Sequence, residues 1–239
     1  MKKRKVCVLL ILIVVFVLAV GWKRTDPEVR RTSGKAIAAN IAGQGMLGLV
    51  EQSVEHPKAA LTFDDGPDAR YTSVLLDGLR ARNIKVSFFL LGEKVEQNPD
   101  LVRRMQEEGH LVGNHTYHHV QLDKLSDAKA REEILKTNNL IYETTGTDPQ
   151  YMRPPFGAWK KNLELRVEMM PVFWTIDTLD WKVQNTEQII KTVEEKIKDG
   201  SIILMHDEYK TTVEAALRLA DSLKEKGYEL VTVDELIMP

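Results

Sequence analysis

From about residue 58 onward, apolar and polar positions alternate in blocks. Short, nearly continuous apolar runs at Ala59–Phe63, Val86–Leu91, Leu111–Gly113, Val172–Ile176, Ile202–Met205 and Leu230–Val233 predict strands buried on both faces. Between them Thr72–Arg82, Asn98–Glu108, Asp127–Thr145, Thr186–Lys198 and Thr211–Lys226 carry helical periodicity. In Asp127–Thr145, the residues Ala130, Ile134, Asn138 and Ile141 share one stripe. Ser126 or Asp127 offers an N-cap there, and Gly146 a stop. Pro154, Pro155, Gly157 and Pro171 weaken any helix between Arg153 and Val172. Strands alternating with helices predict an α/β fold with a parallel sheet and outer helices. The unit count fits an irregular (β/α) barrel of about seven units better than a full eight.

The first residues follow another pattern. Lys2-Lys3-Arg4-Lys5 precedes an uncharged apolar run from Val6 to Val20, then Gly21-Trp22-Lys23-Arg24. Residues 1–24 therefore read as a signal peptide or signal-anchor transmembrane segment. The basic cluster ahead of the run predicts a cytoplasmic amino end and an exported remainder. Ala19-Val20-Gly21 resembles a cleavage site, whereas Trp22-Lys23-Arg24 suits an interfacial anchor; the anchored form is the expectation. The alternative is a secreted, cleaved chain. Residues 25–57 read as a spacer, leaving 58–239 as one domain.

Composition narrows the field. With 33 basic and 35 acidic residues the formal net charge is −2, so no global field recruits nucleic acid. The single cysteine, Cys7, rules out an intrachain disulfide. Nothing in the composition demands an obligate protein partner.

In parallel α/β folds the chemistry gathers at the carboxyl ends of the strands. After Ala59–Phe63 come Asp64-Asp65-Gly66; after Leu111–Gly113 comes Asn114-His115-Thr116-Tyr117-His118-His119. Three of the six histidines fall in that second segment. Both the i, i+3 and the i, i+4 spacings can grip one metal ion, and spacing alone does not choose. Arg153 sits in a proline-stiffened loop, where its guanidinium can keep a nearby carboxylate ionised. Asp177 and Asp180-Trp181 follow Val172–Ile176, and His206-Asp207 follows Ile202–Met205. Asp180 can set the tautomer of His206. Two imidazoles and a carboxylate with an open position describe a catalytic metal site, with one carboxylate and one histidine spare for proton transfer.

These segments resemble the five ordered motifs of the polysaccharide deacetylases (carbohydrate esterase family 4, the NodB-homology domain). They are Thr62-Phe63-Asp64-Asp65-Gly66, His115-Thr116-x-x-His119, Arg153-x-Pro155-Phe156-Gly157, Asp177-x-x-Asp180-Trp181 and Leu204-x-His206. The resemblance implies that Asp65, His115 and His119 hold one divalent metal ion, expected to be zinc, with cobalt, nickel or iron as alternatives. It makes Asp64 the general base and His206 the general acid, with Arg153 orienting Asp64 and Asp180 tuning His206. It gives the oxyanion a backbone N–H from Phe156 and the acetyl methyl a wall of Trp181 and Leu204, with His118 a filler. The implied substrate is an extracytoplasmic amino-sugar polymer, peptidoglycan N-acetylglucosamine first. Chitin oligomers, other acetylated polysaccharides, or an inactive carbohydrate-binding role are the alternatives. A glycosidase fits less well, because adjacent Asp64 and Asp65 do not straddle a sugar bond.

Overall fold

In the computed structural model, residues 56–159 and 169–238 are described. The apolar run expected to meet the membrane, and all but the end of the spacer, lie outside them. Among the described residues no helix is long and apolar enough to cross a membrane. The elements in chain order are β1 (Lys58–Asp64), α1 (Thr72–Arg82), β2 (Ser87–Leu90), α2 (Gly92–Gln97), α3 (Pro99–Glu107), β3 (Leu111–Asn114), α4 (Asp127–Thr145) and β4 (Tyr151–Met152). They continue as β5 (Met170–Pro171), β6 (Ile176–Asp177), α5 (Asp180–Val183), α6 (Thr186–Glu194), β7 (Ser201–His206), α7 (Lys210–Glu225), β8 (Glu229–Leu230) and α8 (Val233–Ile237).

Every strand pairing is parallel, in the order β5-β4-β3-β2-β1-β7-β6. β8 pairs with Lys58 and Ala59, below the point where β2 joins β1 at Thr62. The sheet is a curled half-barrel, with the parallel strands and outer helices that the periodicity predicts. Its two ends, β5 and β6, are neighbours in sequence, so the chain at 172–175 spans the seam between them.

That seam corrects the expected strand Val172–Ile176. Val172 N–H still donates to the Met152 carbonyl of β4 at 2.8 Å, Pro171 offers no N–H on the other edge, and Phe173 is 44% exposed. Pairing resumes where Thr175 N–H donates to the Ile202 carbonyl at 2.9 Å. The expected strand Leu230–Val233 is also shorter. Thr232 leaves it to cap α8, with Glu235 completing a capping box. The two-residue β4 and the short α2 and α5 carry too few residues to show a period.

Two packed layers follow from the alternation of β1. Leu61 and Phe63 join Leu75, Leu79, Ala216 and Leu219 under α1 and α7, with Phe63 stacked on Phe88 at 5.4 Å between centroids. Ala60 instead faces Phe89, Tyr151, Val172 and Val233 inside the curl. In α4 the stripe Ala130, Ile134, Asn138 and Ile141 is buried. Ser126 accepts from Lys129 N–H as its N-cap, and Gly146 ends the helix in the left-handed region.

Candidate active site

β1 and β7 end side by side, with Asp64 in register with His206. The next residue, Asp65, has φ of 67°, which turns it out of the strand direction. Among the described residues, five of the seven non-glycine residues with positive φ border this end of the sheet: Asp65, Thr116, His119, Phe156 and Leu179. Such backbone costs on the order of 1–3 kcal/mol per residue and persists where surrounding contacts over-determine it.

Those contacts are visible around 114–119. The Asn114 amide donates to the Ile134 carbonyl (2.9 Å) and to Asn138 Oδ1 (2.6 Å), while its own Oδ1 accepts from Thr116 N–H (2.7 Å). Glu133 accepts from the N–H groups of Tyr117 (3.1 Å) and His118 (2.9 Å) and pairs with His118 Nδ1 (2.8 Å). The histidine segment is thus a loop clamped onto α4, not the helical turn that i, i+4 spacing suggests. His118 points to the surface. Asn114 and Glu133 escaped the sequence reading; for Asn114 the available signal was its partner Asn138, an asparagine inside an apolar stripe.

Asp65, His115 and His119 come together, with one ligand atom from each within 4.8 Å of the others. Asp65 Oδ1 lies 3.4 Å from His115 Nε2 and 3.5 Å from His119 Nε2. It is buried and has no hydrogen-bond partner. Ligands about 2.1 Å from a tetrahedral ion stand roughly 3.4 Å apart, so this orphaned oxygen and the two nitrogens fit a metal ion. His115 Nδ1 meets the Arg153 carbonyl at 2.5 Å, which puts the proton on Nδ1 and leaves Nε2 as a donor lone pair. Burial holds the His115 pKa down to about 3, so the ring is neutral.

Arg153 is fully buried inside the curl. Its Nη1 donates to Asp64 Oδ1 and Thr62 Oγ1, both at 2.7 Å, and its guanidinium lies 4.3 Å from the Phe89 ring centre. Burial raises the pKa of Asp64, and the Arg153 charge opposes that rise. Asp64 Oδ2 faces the pocket, 3.8 Å from His115 Nε2.

His206 is held from behind. Its Nδ1 lies 2.8 Å from Asp180 Oδ1, its N–H donates to Asp180 Oδ2 at 2.7 Å, and Thr212 also donates to that oxygen at 2.8 Å. Burial alone lowers the His206 pKa. The Asp180 hydrogen bond and charge, with Asp64 and Asp65, outweigh it and lift the value to about 9.

A pocket of about 540 Å³ joins these groups. Leu204 lines it as a buried residue, and Phe156 (66% exposed) and Trp181 (51% exposed) stand at its rim. Trp174 and Tyr209 also line it and were not foreseen. Asp64, Asp65, His115, His119, Phe156, Trp181, Leu204 and His206 line this pocket, while Arg153 and Asp180 stand buried behind Asp64 and His206.

Fold and site together define a class: a parallel (β/α) half-barrel with a candidate mononuclear metal centre where its strands end. The chain belongs to the polysaccharide deacetylase family, whose model matches residues 51–173. The peptidoglycan-N-acetylglucosamine deacetylase PgdA of Listeria monocytogenes aligns at 43% identity over 241 residues, 91% of this chain and 52% of the Listeria protein. The chain thus spans about half the length of that relative. A peptidoglycan-N-acetylglucosamine deacetylase of Bacillus cereus is 37% identical over 186 residues, 74% of this chain and 87% of the relative. The solved structure of peptidoglycan deacetylase PdaC from Bacillus subtilis superposes with a TM-score of 0.74 at 37% identity, covering 77% of this chain and 91% of that one. A pseudoenzyme of the same esterase family from Bacillus anthracis also superposes, with a TM-score of 0.71 at 29% identity over 77% of this chain and 66% of its own. The shared fold therefore does not decide activity.

Proposed function

We propose that this chain hydrolyses N-acetyl groups of an amino-sugar polymer, with peptidoglycan N-acetylglucosamine as the first substrate. One observation carries the reading: Asp65 Oδ1 is buried without a hydrogen bond between two imidazole nitrogens, directly beside Asp64 and His206. Asp65, His115 and His119 would hold the ion, and a His₂Asp set suits zinc. When bound it supplies Lewis-acid polarisation of the acyl carbonyl and acidifies water.

The chain's own residues do the rest. Asp64, fixed through Oδ1 by Arg153, offers Oδ2 to take a proton from the attacking water. Its burial raises its basicity for that step. His206, oriented by Asp180 through Nδ1, presents Nε2 and gives a proton to the departing amine. Phe156, at the rim of the pocket, would offer its N–H to the developing oxyanion, a donor whose loss in comparable enzymes costs about 3 kcal/mol. Trp181 and Leu204 confine the methyl group. Water adds to the carbonyl carbon, the C–N bond breaks, and acetate and a free amino sugar leave.

Residues 1–24 anchor the chain in the membrane with this domain outside the cytoplasm, supported by the basic cluster ahead of the apolar run. The names of the relatives support both sugars of the wall polymer, since a Bacillus subtilis relative at 38% identity is an N-acetylmuramic acid deacetylase. The test offers the zinc-loaded full chain peptidoglycan, its separated N-acetylglucosamine and N-acetylmuramic acid units, and chitin oligomers. Acetate and new amines are quantified with and without chelator. Chelator-sensitive acetate from the glucosamine unit is expected. A zinc-loaded protein that binds polymer and releases no acetate belongs instead with the inactive homologues.

A further inference from the structure

Asp207 follows His206 and has no part in the chemistry above, yet it is fully buried. Its Oδ2 takes the Thr72 hydroxyl, and its Oδ1 has no hydrogen-bond partner. Burial raises its pKa to about 7. The carboxyl group rests on Gly66, the residue after Asp65. A β-carbon on Gly66 would stand 2.5 and 2.7 Å from the two carboxyl oxygens and 2.9 Å from the carboxyl carbon. Gly66 is absent from the positive-φ glycines, and the three atoms nearest to such a β-carbon all belong to Asp207.

The turn is pinned from other sides as well. The Gly66 carbonyl accepts from Leu91 N–H at 3.2 Å. Thr72 Oγ1, besides meeting Asp207, accepts from Asp68 N–H at 2.7 Å. One carboxyl group thus touches the turn at Gly66 and, through Thr72, holds the chain that leaves it. An aspartate with an unpartnered buried oxygen is costly as mere filling, because an apolar side chain leaves no acceptor unmet.

We propose that Asp207 is a positioning residue for the metal-binding turn: its carboxyl group, seated on Gly66 and anchored by Thr72, fixes where Asp65 presents Oδ1 to His115 and His119. The proposal rests on the hydrolase reading above.

Zinc affinity by titration calorimetry, Tm, and kcat with KM are measured on the full chain and on Gly66→Ala, Asp207→Ala, Asp207→Asn and the Gly66→Ala/Asp207→Ala double variant. Loss of an outer partner of a metal ligand typically costs about 10- to 100-fold in affinity. Gly66→Ala falls in that range and Asp207→Ala near its lower end. The double variant binds zinc more tightly than Gly66→Ala, because the clashing atoms are gone. Asp207→Asn keeps the shape and the acceptor for Thr72, and stays close to wild type. The losses appear in zinc affinity and kcat, with KM for the polymer unchanged.

Folded Gly66→Ala and Asp207→Ala proteins that bind zinc as wild type does, with only Tm lowered, overturn the proposal. So does a double variant no better than Gly66→Ala. If Gly66→Ala does not fold, the contrast between Asp207→Ala and Asp207→Asn decides. Wild-type protein that binds no divalent ion sinks the hydrolase reading instead, while the Tm cycle still reports whether Gly66 and Asp207 are coupled.

Discussion

His206 Nδ1 stands 2.8 Å from Asp180 Oδ1, and the other oxygen of the same carboxylate takes the His206 backbone N–H at 2.7 Å. Asp180 is itself fully buried. The ring is therefore fixed in orientation and in tautomer, with Nε2 left to the pocket.

This pair predicts an alkaline limit to turnover. A general acid works only while protonated, so kcat falls as pH rises through the His206 pKa, held near 9 by Asp180 and the site carboxylates against the effect of burial. A bound cation offsets the contribution of Asp64 and Asp65, so the limb of the zinc-loaded protein lies at lower pH than that value. Asp180→Asn moves that limb toward 6.5 and lowers kcat. His206→Ala lowers kcat by about 10²- to 10⁴-fold while zinc content stays intact. A pH–kcat profile and metal analysis of the same samples check both. Lost zinc in His206→Ala would place that residue among the ligands.

Metal binding is readable without turnover. An ion that binds only the folded state adds about 2.7 kcal/mol at a free concentration of 100 Kd. Zinc therefore raises the Tm of the wild-type chain, and chelator reverses the shift. Asp65→Ala and His119→Ala show no such rise. A full zinc-dependent shift in both variants would remove these residues from the ligand set.

Arg153 and Asp64 give a third prediction, because each keeps the other's charge tolerable where water does not reach. Removing one partner of a buried pair costs on the order of 3–5 kcal/mol, since the remaining charge is left uncompensated. Arg153→Met is destabilised by that order and loses the cation that counters burial at Asp64. The Asp64 pKa then rises further, and the acid limb of kcat/KM moves to higher pH. Asp64→Asn in the Arg153→Met background regains part of the lost stability. Denaturant melts of the two single variants and the double variant supply the test, and strict additivity would show that the pair is not coupled.

What could be read in the sequence followed from residue spacing repeated over many positions. The strand at Ala59–Phe63 and the stripe Ala130, Ile134, Asn138 and Ile141 declare themselves because burial repeats at a fixed period. Asp64, Asp65, His115, His119, Asp180 and His206 declare themselves by following predicted strands, and Arg153 by its proline-stiffened loop. The split of 170–177 into β5, a seam and β6 was not legible. Which sheet edge a short apolar run joins depends on how far the sheet curls, a property of the whole fold. Glu133 gave no signal either. A glutamate on the polar side of a helix looks solvated until the loop it clamps has been placed. Trp174 and Tyr209 lie outside the five motifs, and only folding brings them to the pocket.

His110 provides a prediction that concerns stability alone. Its Nδ1 accepts from Val86 N–H at 3.1 Å, so the proton sits on Nε2, which is buried without a partner. Burial, with the nearby cations of Lys85 and Arg104, lowers its pKa to about 4, against the pull of Glu108. Between 6.5 and 4 the unfolded chain binds a proton at this residue that the native chain does not. The contribution of neutral His110 is therefore complete above pH 6.5 and is lost progressively as pH falls to 4. One such proton gives a slope of about 1.4 kcal/mol per pH unit. In chelator the zinc-free His115, with a pKa of about 3, adds a second proton of the same sign. His110→Gln keeps an acceptor for Val86 N–H and cannot titrate. Near pH 5 in chelator, its unfolding free energy should fall with acidification by about 1.4 kcal/mol per pH unit less than that of the wild type. Urea melts at half-unit pH steps measure the difference. Equal slopes for the two proteins would mean that His110 is protonated as readily in the native state as in the unfolded chain.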